Sequence, residues 1–341
     1  MPSVTFLPHE KSITVPQGES LLRAAMEAGV HINASCGGDG VCAKCRILIE
    51  EGRVDGGLSD RISDDDQAKG YRLACQTRVA DADVVIRVPV ESSIDASVLK
   101  RQATPRQAAR IHQPDFESLK EQGLFVPPVE EVYLELPEPN ATDNQPDASR
   151  LVNFLTLNHD EHRLVVRLSL IRKLPDVLRE DNFRVTVTLA RSVQPGRKTH
   201  VINVQPGDTT DRNYAVAMDI GTTTVYGQLI DLISGKVLAE KGDFNGQISY
   251  GEDVITRIMA AEKPGGLDKL HEVVTATMNK IIASIVKQAG VSLDDVNAIT
   301  LAGNTTMTQL FLKIDPRHVR RSPYVPAATL YPPIRAVSLG L

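Results

Sequence analysis

Two short runs near the start of the chain, residues 3 to 10 and 11 to 16, have strand-like composition around a short polar turn and predict a β-hairpin. The periodicity then changes. From Ser20 to Gly29, Leu21, Leu22, Ala25 and Met26 share one face, with a serine at the start and a glycine at the stop, which predicts an amphipathic helix. After a glycine-rich loop come an apolar run from Cys45 to Glu50, a short helical signal from Asp64 to Lys69, the run Leu73 to Thr77 and the alternating strand Val84 to Pro89. These elements predict a small mixed sheet wrapped on one helix over residues 1–93.

Residues 94–124 are polar and helix-compatible without a core, and suit a linker. A second unit is expected over 125–210. It holds the strand Glu131 to Leu136, a turn region rich in Pro, Asn and Asp (Pro137 to Pro146), the apolar segment Leu151 to Leu157, and strands near Leu164 to Leu170 and Phe183 to Ala190. It shows no catalytic constellation, and its expected role is dimerisation or docking, with a homodimer as the assembly. The third unit, 211–341, begins with the buried strand Tyr214 to Asp219, then Val225 to Asp231 and Val237 to Lys241. Two helices follow, one over about Gly251 to Ala261 and a longer one with Leu267, Leu270, Val274, Met278, Ile281 and Ile285 on one face. The strand Val296 to Ala302 and a further helical segment, Met307 to Leu312, complete the order β-β-β-α-α-β-α, an α/β layer.

Length agrees with this division, since 341 residues at about 150 per domain give two or three domains. A net charge of −5 and a pI near 5.9 give no reason to expect binding to phosphate backbones, so nucleic acid is not an expected partner. With 42% apolar and 24% charged residues the chain is globular rather than disordered. There is no tryptophan and aromatics are 4%, so Val, Ile, Leu and Ala must build the cores. No basic segment followed by an apolar stretch opens the chain, and no run reaches the roughly eighteen apolar residues of a membrane span. A cytoplasmic protein with no membrane contact is the expectation.

The four cysteines all lie in the first quarter of the chain, spaced Cys36-x5-Cys42-x2-Cys45-x29-Cys75. Cytoplasmic thiols stay reduced, so the cluster points to metal binding or redox chemistry rather than disulfides. Three thiolates on one irregular loop and a fourth from a distant strand can surround an iron–sulfur rhomb. Gly37, Gly38 and Gly40 let backbone N–H groups turn toward the sulfurs. Structural zinc usually shows two short CxxC pairs, and here the fourth cysteine stands alone; zinc and unrelated buried thiols are the other readings. On these residues, positions 1–93 resemble a ferredoxin-type [2Fe–2S] domain of β-grasp fold, with the longer first gap of the adrenodoxin-like branch. The resemblance implies Cys36, Cys42, Cys45 and Cys75 as ligands of a one-electron cluster.

A second candidate site is Asp219-x-Gly221-Thr222-Thr223-Thr224, in the turn between two apolar strands. Gly221 allows close approach of backbone to a phosphate, the threonine N–H and hydroxyl groups can cradle its oxygens, and Asp219 can hold Mg²⁺ directly or through water. A tight hairpin alone could use the same residues. In a meander followed by Ile233-Ser-Gly-Lys236, the pattern resembles the first phosphate loop of the actin, sugar-kinase and Hsp70 ATPase superfamily. Gly303-Asn304-Thr305-Thr306 is a second polar turn at the same sheet edge, read either as a helix cap or as a phosphate- or water-positioning turn. Glu252 or Asp253 in Tyr250 to Arg257 is either near this cleft or part of a solvated helix start.

The whole series resembles the reductive activators of corrinoid proteins: an α+β multi-domain chain with a [2Fe–2S] domain, a linker, a small α/β middle domain and the first half of an actin-like, ribonuclease H-like ATPase domain. The phrases Pro139 to Asn144, Leu174 to Glu180, Tyr250 to Val254 and Ala302 to Met307 carry the likeness beyond the cysteines. The resemblance implies ATP and Mg²⁺ as ligands, an external low-potential electron donor, and a corrinoid protein of a methyltransferase system as acceptor. Its cobalt(II) would be reduced to cobalt(I). For a one-electron couple each ~59 mV of uphill potential is about 1.4 kcal/mol, which is why such a transfer needs ATP. An actin-like cleft also needs a second half, and the roughly 130 residues after Asp219 cannot contain it, so the chain is either a fragment of a longer protein, which is the expectation, or one that has lost ATP binding. Two other classes fit less of the sequence: an electron carrier with a non-hydrolysing docking domain, and a sugar-kinase-like phosphotransferase, for which no sugar-binding signature is present.

Overall fold

In the computed structural model, which describes residues 1–34, 36, 38–93, 116–191 and 198–341, the first hairpin forms as β1 (Ser3–Leu7) and β2 (Lys11–Thr14), antiparallel with Val4 opposite Ile13. β3 (Arg46–Glu51), β5 (Tyr71–Leu73) and β7 (Val84–Arg87) complete a five-stranded sheet of order β2-β1-β7-β3-β5, in which β1 and β7 run parallel. β4 (Val54–Gly56) and β6 (Thr77–Val79) pair separately. Helix α1 (Leu21–Glu27) starts where the Ser20 side chain accepts from the Arg23 N–H, and buries Leu21, Leu22, Ala24 and Ala25. Met26, placed on the apolar face by periodicity, is only partly buried and instead meets the Ser249 hydroxyl of the third unit. The Asp64 to Lys69 signal forms α2 (Asp64–Ala68). The expected run Leu73 to Thr77 does not form as one segment. The Thr77 hydroxyl donates to the Leu73 carbonyl at 2.7 Å and the Gln76 N–H donates to it at 2.9 Å, so the chain turns between β5 and β6.

Residues 94–115, most of the expected linker, lie outside the described residues; α3 (Phe116–Glu121) follows them. The second unit is a four-stranded sheet of order β8-β10-β11-β9, from β8 (Glu130–Glu135), β9 (Leu164–Val166), β10 (Arg184–Ala190) and β11 (Thr199–Pro206). The Leu151 to Leu157 segment lies in α4 (Asp147–His159) and buries Leu151 and Leu155. The strand expected to reach Leu170 stops at Val166. The chain then turns into α5 (Leu168–Ile171), which buries Leu170, and α6 (Leu174–Glu180), which buries Leu174 and Leu178. The fourth strand, β11, has no counterpart in the sequence reading.

The third unit follows the expected order. β12 (Tyr214–Ile220), β13 (Thr224–Asp231), β14 (Val237–Phe244) and β15 (Val296–Gly303) form a sheet of order β14-β13-β12-β15, with β12 antiparallel to β13 and parallel to β15. Helices α7 (Val254–Ala261), α8 (Gly266–Ala289) and α9 (Thr305–Phe311) cover it. Leu270, Val274, Met278, Ile281 and Ile285 of α8 are buried to the last atom, each worth roughly 1.5–3 kcal/mol of burial. Among the described residues no helix is long and apolar enough to cross a membrane.

Candidate metal centre and phosphate-binding turns

The cysteine loop leaves the core after Ala34 and returns at Cys45, just before β3. Gly38 (φ 98°) and Gly40 (φ 78°) take left-handed conformations that a side chain would strain. Cys75 sits in the β5–β6 turn rather than on a strand, and the Ala74 N–H beside it donates to the Cys45 carbonyl at 2.9 Å. That bond sets the two buried thiols together: Cys45 Sγ donates to Cys75 Sγ at 3.3 Å. Cys36 and Cys42 are partly exposed and contact each other. Among the described residues the four thiols stand as two pairs and do not close on a common metal position.

The donors around the sulfurs fit an anionic, sulfur-rich group. Partial burial pushes the Cys36 thiol up, but hydrogen bonds from the Cys42 backbone and side chain and from the Val41 and Gly38 backbone outweigh it and hold it below the usual thiol value. The hydrogen bond from Cys45 lowers Cys75 to about 7 against burial, helped by the Gln76 side chain and the Gly40 and Cys75 backbone. Cys45, as the donor of that pair and buried, is raised. Four thiols, with backbone N–H groups turned toward Cys36, Cys45 and Cys75, fit the donor set that iron–sulfur centres use.

At the other site, the ends of β12 and β15 are in register, Ile220 beside Gly303, so the two turns that follow lie side by side. The Gly221 N–H donates to the Thr224 carbonyl at 2.9 Å, and a Cβ on Gly221 would stand 2.6 Å from that oxygen. Asn304 joins the turns: its Nδ2 donates to Thr222 Oγ1 at 3.3 Å, while its Oδ1 caps α9 by accepting from the Met307 N–H at 3.0 Å. The helix-cap reading of this turn therefore holds, and the same side chain also ties it to the Gly221 turn. Asp219, Thr223, Gly303, Asn304 and Thr305 are exposed at this edge, with Gly221, Thr222 and Thr224 partly covered. Asp253 is used as the cap of α7 in a reciprocal capping box with Thr256, and Glu252 pairs with Lys44 of the cysteine loop at 3.1 Å.

Two residues beneath the turn were not singled out from sequence. Asn245 Nδ2 donates to the Gly221 carbonyl at 2.9 Å, and the fully buried Arg257 donates to the Thr222 carbonyl. The signal for Arg257 was its place between Val254, Ile258 and Ala261 on the apolar face of α7.

The chain is thus an iron–sulfur domain of ferredoxin type joined to two further α+β units. Residues 4–80 match the family model of the 2Fe-2S iron-sulfur cluster binding domain, residues 118–211 that of the RACo linker region, and residues 214–341 that of the RACo middle region. These matches place the chain with the reductive activators of corrinoid proteins. The corrinoid activation enzyme RamQ of Eubacterium limosum is 27% identical over 322 residues, covering 93% of this chain and 46% of that protein. A solved structure of a reductive activator for a corrinoid, iron-sulfur protein is similar along the whole chain, with 34% identity and a TM-score of 0.57, and the chain covers 53% of it. A 2Fe-2S ferredoxin of Pseudomonas aeruginosa is 34% identical over 101 residues, covering 26% of this chain and 90% of the ferredoxin. The chain spans about half the length of the two activators.

Proposed function

We propose that the protein passes single electrons from a low-potential donor to the cobalt(II) of a corrinoid protein, giving cobalt(I), and that ATP binding or hydrolysis drives the step. The observation that carries the reading is the pairing, in one chain, of a sulfur-binding loop with two adjoining polar turns at a sheet edge. A [2Fe–2S] cluster held by Cys36, Cys42, Cys45 and Cys75 would supply one-electron chemistry. The N–H groups around Cys36 and Cys75 favour the more negative, reduced form. At the second site Asp219, Gly221, Thr222, Thr223, Thr224, Gly303, Asn304 and Thr305 would hold the phosphates and Mg²⁺ of ATP, Asp219 as the carboxylate at the strand end. The cobalt needs no nucleophile or base from this chain, because the transfer moves an electron alone.

The test is an anaerobic assay with the full-length protein, a reductant and a cobalt(II) corrinoid protein, following cobalt(I) absorbance. ATP-dependent reduction, lost in Asp219→Ala with the cluster absorbance intact, is expected. Reduction that is equally fast without ATP would leave an electron carrier and remove the ATP part of the reading.

A further inference from the structure

Arg257 is 0% exposed, yet among the described residues no carboxylate stands within ion-pair distance of it. Its partners are neutral. Nε donates to the Gly251 carbonyl at 2.8 Å, Nη1 to Gln247 Oε1 at 3.3 Å and Met307 Sδ at 3.1 Å, and Nη2 to the Thr222 carbonyl. Buried charges in proteins are ordinarily paired at close range; here burial lowers this guanidinium to about 10, and the more distant Asp253 carboxylate offsets that only in part. Met307 is in the first turn of α9, three residues after Asn304 and hydrogen-bonded to it through its N–H, so one side chain touches the supports of both exposed turns.

The peptide plane converts that contact into a direction. In a trans peptide the C=O and the following N–H point opposite ways. Arg257 draws the Thr222 carbonyl inward, which turns the Thr223 N–H outward; Asn245, 1% exposed, does the same for the Gly221 carbonyl and the Thr222 N–H. Successive N–H groups facing one way make an anion-binding concavity. We propose that Arg257, with Asn245 beside it, is the positioning residue of the phosphate-binding turn: it fixes two backbone donors toward a phosphoryl group and supplies, one carbonyl below, the positive charge that group neutralises. This rests on the reading of the turns as the ATP phosphate site.

The experiment measures MgATP and adenosine binding to the full-length protein by calorimetry, with backbone amide hydrogen exchange on the wild type. Slowed exchange at Thr222 and Thr223 on adding MgATP, and not on adding adenosine, is expected. Arg257→Gln should weaken MgATP binding about tenfold or more, and Arg257→Lys should recover most of that loss, because the charge is kept. MgATP binding that leaves both amides unprotected overturns this inference alone, whether or not the variants fold. Unchanged binding in a folded Arg257→Gln, or a Lys variant as weak as Gln, also overturns it. A wild type that binds no nucleotide overturns the ATP reading itself, and this inference with it.

Discussion

A buried thiol pair at 3.3 Å is the tightest statement the structure makes about the metal centre, and it belongs to two residues 30 apart in sequence. Serine at any of Cys36, Cys42, Cys45 or Cys75 should abolish or strongly reduce the visible absorbance after anaerobic reconstitution with iron and sulfide. A serine variant with the full wild-type spectrum would remove that residue from the ligand set. Glu131 presents a different residue-scale case. Asn297 Nδ2 and Thr188 Oγ1 donate to one of its oxygens at 3.0 and 3.3 Å, while the other, Oε2, is buried without a partner. Burial raises this carboxyl to about 7 from 4.5. A raised folded-state value means that the protonated form is favoured, so the stability it contributes is complete below about 4.5 and is lost as pH rises through about 7. Glu131→Gln should therefore melt progressively higher than wild type across that window, and parallel melting curves would contradict the assignment. The cysteines were legible because the chain has only four and clusters them. Glu131 was not, since its burial is decided by Thr188 and Asn297, far away in sequence, and Arg257 was marked only by its place on the apolar face of α7.

Among the elements, α8 is the one on which the third unit depends most, and its face was legible because six turns of 3.6-residue periodicity leave little ambiguity. Met278→Ala, at a site with 0% exposure, should cost about 2–5 kcal/mol by chemical denaturation. Gly227 of β13 lies under the same helix, where a Cβ would stand 2.8 Å from Ile281 Cγ2. Gly227→Ala should destabilise as well, and wild-type stability for both would mean that α8 does not pack on β13 as described. Shorter elements read less well. Leu164 to Leu170 gave three residues of strand and then a helix, because a brief apolar run is compatible with either. The Leu73 to Thr77 run was cut by a turn whose hydrogen bonds come from a threonine hydroxyl and a backbone N–H, details that no periodicity reports. That turn is what delivers Cys75 to Cys45.

In the whole molecule the cysteine loop lies against the unit that carries the two polar turns after β12 and β15. Lys44 pairs with Glu252 at 3.1 Å and Asp39 with Lys263 at 2.7 Å, on either side of α7, and the His31 ring lies 4.3 Å from that of Phe244. Exposed ion pairs hold weakly and are screened by salt. The ferredoxin-type unit should therefore move away from the third unit as ionic strength rises to about 1 M, where the screening length falls to roughly 3 Å. X-ray scattering should show a growing radius of gyration, and a constant one would contradict a salt-sensitive contact. Such release would also free the loop to approach a larger acceptor and pass it an electron. That transfer is tested most directly by stopped-flow mixing of the pre-reduced full-length protein with a cobalt(II) corrinoid protein under anaerobic conditions, watching both chromophores with and without MgATP. Cluster oxidation and cobalt(I) formation are expected to share one rate constant, in equal amounts, and both to require MgATP. Cobalt(I) appearing without matching cluster oxidation, or no cobalt(I) at all, would contradict this expectation.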